Sequence, residues 1–125
     1  MTILVDSDIL IEVSRGKNPD IIRRWIDLSE SDAAVLYSPI SVAELWAGAR
    51  PNEFDALNQL FEALVCARID AEVGRGAGAY MHRYRRSHGI EIADAFIAAA
   101  AVANKAMLWT RNRKHYPMPE IGFWE

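Results

Sequence analysis

The sequence predicts an α/β fold in which a mostly parallel sheet of four to five strands is covered by helices on both faces. Short continuous apolar runs alternate along the chain with segments whose apolar residues recur at helical spacing. Such apolar runs are typical of strands buried on both faces, and strand–helix alternation is typical of parallel sheets. The composition, 51% hydrophobic and 25% charged over 125 residues, fits one globular domain over residues 1–125.

The first half of the chain supplies two predicted strands and four predicted helices. Residues 2–6 (TILVD) form the first strand and lead into a helix that ends at Gly16. Asn18 and Pro19 begin a second helix as N-cap and first helical residue. The run AAVLYSPI is the second strand, and a short helix with Ser41 as N-cap follows it. A fourth helix is predicted over EFDALNQLFEALV, whose apolar residues at helical spacing are Phe54, Leu57, Phe61 and Leu64.

The second half continues the alternation of strands and helices. CARI is a third predicted strand, and a long helix follows through GAYMHRYRRS, its start left undefined by preceding glycines. An alanine-rich helix comes next, then AMLWT as fourth strand and EIGFW as candidate for a fifth. The uncharged run at residues 95–104 is shorter than the roughly 20 residues that span a membrane. With the single cysteine, Cys66, and no basic leader, these features predict a cytoplasmic domain without a membrane partner.

Acidic side chains stand where the chain leaves predicted strands or enters the following helices. Asp6 ends the first strand, Glu44 lies early in the helix after the second, and Asp94 opens the alanine-rich helix. Asn112 follows the fourth strand in the same way. Ligands of open parallel sheets bind at the carboxyl ends of the strands. Three acids gathered there repel one another unless a cation joins them, and Mg²⁺ or Mn²⁺ suits carboxylate ligands. We therefore predict a site whose catalytic residues and metal ligands are Asp6, Glu44 and Asp94.

The same acids also have structural interpretations. Asp6 and Asp94 could serve only as helix caps, and Glu44 with Ser41 fits the capping-box pattern. Helical geometry turns Asp8 about 200° around the helix axis from Asp6, which predicts a minor role for Asp8.

Glu91 raises a related question at the start of the alanine-rich helix. It precedes Asp94 by three residues, so both carboxylates are expected on one side of the helix. Glu91 is then either a further metal-binding group or a first-turn acid that complements the helix dipole.

Four segments together resemble the PIN-domain family, and within it the VapC-type toxins of bacterial toxin–antitoxin pairs. They are ILVDSDILIE, SPISVAELWAGA, IEIADAFIAAAAV and LWTRNRKHYP, in the family's order. The resemblance implies an α/β/α sandwich and Mg²⁺-dependent cleavage of RNA, with transfer or ribosomal RNA as the substrate class. It places Asp6, Glu44 and Asp94 on the family's three acidic positions, and Asn112 on a fourth position that is often Asp.

The resemblance also implies supporting residues and partners. Ser7, beside the first acid, and Thr110, at the end of the fourth strand, are expected to support the site. The apolar faces of IIRRWI and EFDALNQLFEAL predict a homodimer, and the family implies a cognate antitoxin bound near the active site in a higher assembly. Because the net charge is −3, positive charge for RNA must be local. The RNA-binding candidates are Arg83, Arg85, Arg86, Arg111, Arg113 and Lys114, with Tyr84 and Tyr116 as stacking surfaces.

Two other functions remain open. The segment ILVDSDIL has the pattern of haloacid dehalogenase-like phosphatases, in which Asp6 would be the nucleophile and Asp8 the general acid. Such a phosphatase normally needs an acidic pair after a later strand, whereas the later acid here opens the alanine-rich helix. The third possibility is a catalytically weak domain that keeps the fold and binds RNA or a protein. Its only support is Asn112 at the position where the family often has Asp.

Overall fold

The computed structural model describes residues 1–125, and a parallel four-stranded sheet lies at its centre. The strands are β1 (Thr2–Val5), β2 (Ala34–Tyr37), β3 (Val65–Cys66) and β4 (Met107–Trp109). Their spatial order is β3–β2–β1–β4, and every neighbouring pair is parallel. Ile3 in β1 is paired with Val35 on one side and Met107 on the other. The predicted fold class is therefore confirmed, with β1 as an interior strand.

Six helices surround the sheet: α1 (Ser7–Arg15), α2 (Pro19–Glu30), α3 (Pro39–Gly48), α4 (Phe54–Glu62), α5 (Ala71–His88) and α6 (Ile92–Ala103). Several ends follow directly from the sequence. The Asn18 side chain accepts a hydrogen bond from Ile21 N at 3.2 Å, which caps α2 as predicted. The chain leaves α1 through Gly16 in the left-handed conformation, with φ of 67°. Asp70 caps α5 by accepting from Val73 N at 3.0 Å, which sets the start that the glycines left undefined.

Three sequence predictions about secondary structure are wrong. The third strand, expected over CARI, is instead Val65–Cys66 and shares only Cys66 with that segment. The N-cap of α3 is Ser38 rather than Ser41, since Ser38 Oγ accepts from Ile40 N at 3.0 Å and Pro39 occupies the first helical position. The capping-box interpretation of Ser41 is thereby excluded, because Ser41 lies inside the helix. The segment EIGFW forms one bridge, between Leu108 and Phe123, in place of a fifth strand.

The sheet separates two apolar clusters, as the alternation of side chains along a strand requires. On one face, Leu4 and Leu108 pack with α5 and the alanines of α6. On the other face, Ile3, Val5 and Trp109 pack with α1, α2, α3 and α4. Helices thus cover both faces in an α/β/α sandwich. None of them is long and apolar enough to cross a membrane.

The small residues of α6 allow it to approach its neighbour closely. A Cβ placed on Gly76 of α5 would lie 3.2 Å from Cβ of Ala99. Substitution of Gly76 by a larger residue therefore requires the two helices to separate. Asp94 lies in the first turn of α6. The close packing of α5 and α6 therefore fixes the position of this carboxylate at the edge of the sheet.

Candidate active site

A pocket of about 360 Å³ lies at the carboxyl edge of the sheet. Asp6 follows β1 directly, Glu44 comes from α3 after β2, and Asn112 follows β4. The first turn of α6 brings Asp94 to the same place. The structure therefore brings together the three acids that the sequence singled out. The carboxylates that line the pocket are Asp6, Asp8, Glu44, Glu91 and Asp94.

Asp6 is held in one orientation by three hydrogen bonds. It is 7% exposed, and its Oδ1 accepts from Ser7 N at 2.7 Å. Its Oδ2 accepts from Thr110 Oγ1 and from Tyr116 Oη, each at 2.8 Å. Thr110 thus contacts the site, as expected from its place at the end of β4. Hydrogen bonds of this kind to an ionised carboxylate are the stronger ones in proteins, so the position of Asp6 is well defined.

Tyr116 has a different role from the predicted one. The side chain is 3% exposed, so it offers no surface on which an RNA base could stack, and that prediction is wrong. Burial, followed by the negative charge of Asp6, raises the pKa of the Tyr116 hydroxyl. The hydroxyl therefore stays protonated at neutral pH and donates a hydrogen bond to Asp6.

A directed chain of hydroxyl groups holds Glu44. Ser7 Oγ lies 2.7 Å from Glu44 Oε1 and 2.7 Å from Ser41 Oγ. A serine has one hydroxyl proton, and an ionised carboxylate only accepts. Ser7 must therefore donate to Glu44 and accept from Ser41, which is fully buried. This arrangement satisfies all three groups and gives Ser7 the supporting position expected from the sequence.

Asp94 lies where several negative charges act on it. Burial raises the pKa of this half-buried carboxyl, and the charges of Asp6, Glu91 and Glu44 raise it further. His115 opposes them, with its Nδ1 3.7 Å from Asp94 Oδ2. Negative charge at this end of the pocket is therefore only partly compensated by the protein.

Glu91 stands just outside the helix that was expected to contain it. It is the N-cap residue of α6, with an extended backbone, and its side chain makes no capping hydrogen bond. The argument from helical spacing therefore does not apply to this residue. Glu91 still lines the pocket with Asp94, because the N-cap position itself faces the sheet edge.

Asp8 also departs from its expected orientation. The predicted turn of about 200° from Asp6 assumed that both residues are helical. Asp6 is instead the N-cap of α1, with φ of −72° and ψ of 159°. Asp8 consequently lines the same pocket. Burial raises the pKa of its carboxyl, and the charge of Asp6 raises it further.

The donor set of the pocket suits a hard divalent cation. It combines five carboxylates with the Asn112 amide, and such oxygen ligands are those that Mg²⁺ and Mn²⁺ prefer. As the side chains stand, no three acidic, histidine or cysteine groups are close enough to share one ion. Glu44 is exposed and Asp94 half-exposed, so movement of these side chains or bridging water must close the remaining gap. Mg²⁺ usually keeps several of its waters, which is compatible with such a site.

The basic residues predicted to bind RNA lie in two exposed groups. One group is at the carboxyl end of α5 and the other follows β4. Three of the six arginines and lysines are engaged in ion pairs, namely Arg83 with Glu120, Arg111 with Glu12, and Arg113 with Glu125. The residues without an ion pair are Arg85, Arg86 and Lys114. His88 and His115, from the same two segments, line the pocket itself.

Sequence reasoning missed four contributions to the site, and some had detectable signals. Tyr116 and His115 follow β4 at the same edge as Asn112, so the rule that singled out Asn112 applies to them as well. Ser41 lies one helical turn from Glu44, on the same side of α3. Asp8 had no usable signal, because its orientation depends on where α1 begins.

The chain is similar to known proteins in both sequence and fold. The family model described as PIN domain matches residues 3–121. Ribonuclease VapC19 of Mycobacterium tuberculosis is 34% identical over 116 residues, which cover 92% of each protein. Ribonuclease VapC10 of the same species is 38% identical over 119 residues, which cover 94% of this chain and 88% of the relative.

Solved structures of similar fold include a toxin–antitoxin complex from Klebsiella pneumoniae, with a TM-score of 0.74 at 21% identity over 94% of this chain and 93% of the other. VapBC2 from Rickettsia felis, bound to a DNA fragment from its promoter, has a TM-score of 0.83 at 20% identity and full coverage of both chains. FitAcB from Neisseria gonorrhoeae has a TM-score of 0.70 at 25% identity, covering 98% of this chain and 96% of the other. At these identities the similarity establishes the shared fold.

Proposed function

The chain belongs to the PIN-domain family, and from that membership we propose that it is a metal-dependent endoribonuclease, the toxin of a type II toxin–antitoxin pair. The observation that carries the proposal is the pocket where Asp6, Glu44 and Asp94 meet from three separate elements. Relatives named as VapC ribonucleases align with nearly the whole chain, which supports the same activity here. In this proposal residues 1–125 act as one nuclease domain.

Asp6, Glu44 and Asp94 are the residues that would hold the cation, with Mg²⁺ preferred and Mn²⁺ as the alternative. When bound, such a cation supplies Lewis-acid assistance to hydrolysis of a phosphodiester. The protein's own contribution is positional. Three hydrogen bonds fix the position of Asp6, and the hydrogen bond that Ser7 donates orients Glu44. The low exposure of Asp6 excludes bulk water from one side of the site.

The pocket is negatively charged and repels RNA. We therefore propose that the exposed basic groups beside the pocket attract the RNA. Arg85, Arg86 and Lys114 are the favoured phosphate contacts, because they are free of ion pairs. Arg83, Arg111 and Arg113 contribute less, since each must first leave an acidic partner. Each phosphate contact makes the slope of log affinity against log salt more negative by about 0.7 for a single strand. The substrate class proposed from the family is transfer or ribosomal RNA, which fits action in the cytoplasm.

We also propose a homodimer and a cognate antitoxin as partners. The apolar faces expected to mediate assembly remain partly uncovered, with Ile26 47% exposed and Phe54 37% exposed. Solved structures of the same fold include members of toxin–antitoxin systems, which supports an antitoxin partner and a higher assembly with it. Light scattering tests the dimer, and a monodisperse monomer at micromolar concentration would argue against it.

The central experiment compares RNA cleavage by Asp6→Asn, Asp94→Asn and the native protein in Mg²⁺, with and without a chelator. Asp55→Asn is the matched control, since Asp55 is an exposed first-turn acid of α4 outside the pocket. We expect cleavage to be lost in both site variants, retained in the control and abolished by chelator. Circular dichroism should show that all variants are folded. Unaltered Mg²⁺-dependent cleavage by either site variant would refute the assignment.

The same experiment separates the two alternatives. A catalytically weak binding domain predicts no chelator-sensitive degradation of RNA by the purified protein. A phosphatase of the haloacid dehalogenase type needs Asp8 as a free general acid. Here Asp8 already accepts hydrogen bonds from Arg111 N and from Asn112 Nδ2, which disfavours that role.

A further inference from the structure

Asp8 joins two parts of the pocket that are far apart in sequence. Its Oδ1 accepts from Ile9 N at 2.8 Å, within the first turn of α1. Its Oδ2 accepts from Arg111 N at 2.9 Å and from Asn112 Nδ2 at 3.1 Å, in the segment that follows β4. The carboxylate therefore connects the start of α1 with the segment that follows β4.

This contact decides which way the Asn112 amide faces. A carboxylate oxygen only accepts hydrogen bonds, so the NH₂ group of Asn112 must be the branch directed at Asp8. The other branch, Oδ1, receives no hydrogen bond from the protein. It is also not buried, because Nη2 of Arg24 is the only buried side-chain polar atom without a partner. Asn112 lines the pocket, and its exposed amide atom is consequently an oxygen.

We propose that Asp8 is a positioning residue that holds Asn112 with its amide oxygen available to a cation in the pocket. The inference rests on the proposed metal-dependent function and adds a ligand to that site. An amide carbonyl oxygen is an accepted ligand of hard divalent cations. Asp8 supplies negative charge near this ligand, and it contacts Asn112 rather than the cation.

Replacement of Asp8 by alanine removes the acceptor that fixes the Asn112 amide. Asparagine at position 8 would not do so, because an amide oxygen in place of Asp8 Oδ2 could still accept from both Arg111 N and Asn112 Nδ2. Without an acceptor at position 8, the Asn112 amide is free to turn its NH₂ group toward the pocket. An NH₂ group repels a cation, so Asp8→Ala weakens the ligand without removing Asn112.

The test is Mn²⁺ binding to metal-free protein, measured by titration calorimetry in the absence of RNA. We expect Asp8→Ala and Asn112→Ala each to weaken Mn²⁺ binding by about tenfold, the lower end for loss of a group that orients a ligand. The two changes combined should cost little more than either alone, because both remove the same interaction. The matched control Asp55→Asn removes a first-turn acid from α4 and should leave binding unchanged.

The outcomes separate this inference from the proposed function. If Asp94→Asn abolishes Mn²⁺ binding while Asp8→Ala or Asn112→Ala binds like the control, the positioning role is refuted and the metal site stands. If Asp94→Asn leaves binding intact, the proposed metal site itself fails. Should Asp8→Ala not fold, Asn112→Ala still decides, since an unchanged affinity in that variant excludes the amide oxygen as a ligand.

Asn112→Asp provides an independent check on the same contact. It places a second carboxylate against Asp8, at a position now occupied by a donor 3.1 Å away. We expect its melting temperature in chelator to fall below that of the native protein. A melting temperature equal to or above the native value would overturn the proposed pairing.

Discussion

Replacement of Tyr116 by phenylalanine removes one donor from Asp6 while keeping the ring in the core. The Oη–Oδ2 hydrogen bond measures 2.8 Å between groups that are 3% and 7% exposed. Loss of a hydrogen bond to a charged group costs about 1.5–3 kcal/mol of the free energy of unfolding. For a chain of 125 residues, 1 kcal/mol lowers the melting temperature by about 4 °C, so we expect a fall of about 6–12 °C.

The measurement is thermal unfolding in chelator, followed by the same scan in Mg²⁺. Tyr80→Phe is the matched control, because Tyr80 is 7% exposed and its hydroxyl donates to no carboxylate. A bound cation would place positive charge beside Asp6. The fall in melting temperature of Tyr116→Phe should therefore be smaller in Mg²⁺ than in chelator. A melting temperature within about 2 °C of the Tyr80→Phe control in chelator would refute the view that Tyr116 holds Asp6 in place.

Three further predictions concern the other acids of the pocket. Ser41→Ala removes the hydrogen bond that directs the Ser7 hydroxyl toward Glu44, so Mn²⁺ titration should show weaker binding. Unchanged binding would exclude a role for this hydroxyl chain in the metal site. Glu91→Gln should raise the Mg²⁺ concentration for half-maximal cleavage if Glu91 binds the cation, whereas an unchanged titration leaves it as a helix-end acid. Burial and neighbouring acids raise the pKa of folded Asp94 above its ordinary value of 3.8, so ionised Asp94 destabilises the metal-free fold. Asp94→Asn should therefore melt above the native protein at pH 7 in chelator, and this advantage should disappear as the pH falls through the folded pKa toward 3.8; an advantage independent of pH would contradict the argument.

The convergence of the acids could be predicted because it depends on topology alone. Apolar runs indicated parallel strands, and parallel strands place the residues after their carboxyl ends at one edge. Asp6, Glu44 and Asp94 could thus be grouped without knowledge of any side-chain contact. The same rule placed Asn112 with them, and the family resemblance identified it as the fourth position of the site.

The errors arose where one residue's conformation decided the geometry of its neighbours. Both Ser38 and Ser41 are suitable caps, and only the choice of Ser38, with Pro39 next, places Ser41 inside the helix. Because the backbone of Asp6 is extended, the helical angle that was expected between Asp6 and Asp8 does not apply. No local pattern indicates which residue such a change brings into contact.

The Tyr116 contact could not be predicted for a different reason. An aromatic residue beside RNRKH is equally suited to stacking on a base or to the core. The choice depends on packing against Asp6, which lies 110 residues earlier in the chain.

The order β3–β2–β1–β4 also has a consequence for the protein while it is being synthesised. β1 is made before the other three strands, but one of its two neighbours, β4, is the last of the four to be made. Two of the three donors to Asp6 come from Thr110 and Tyr116, which lie 104 and 110 residues away along the chain. A partly translated chain therefore cannot hold Asp6 in its folded position. The proposed activity should begin only once the segment that follows β4 has left the ribosome, which delays damage to the RNA of the cell that makes it.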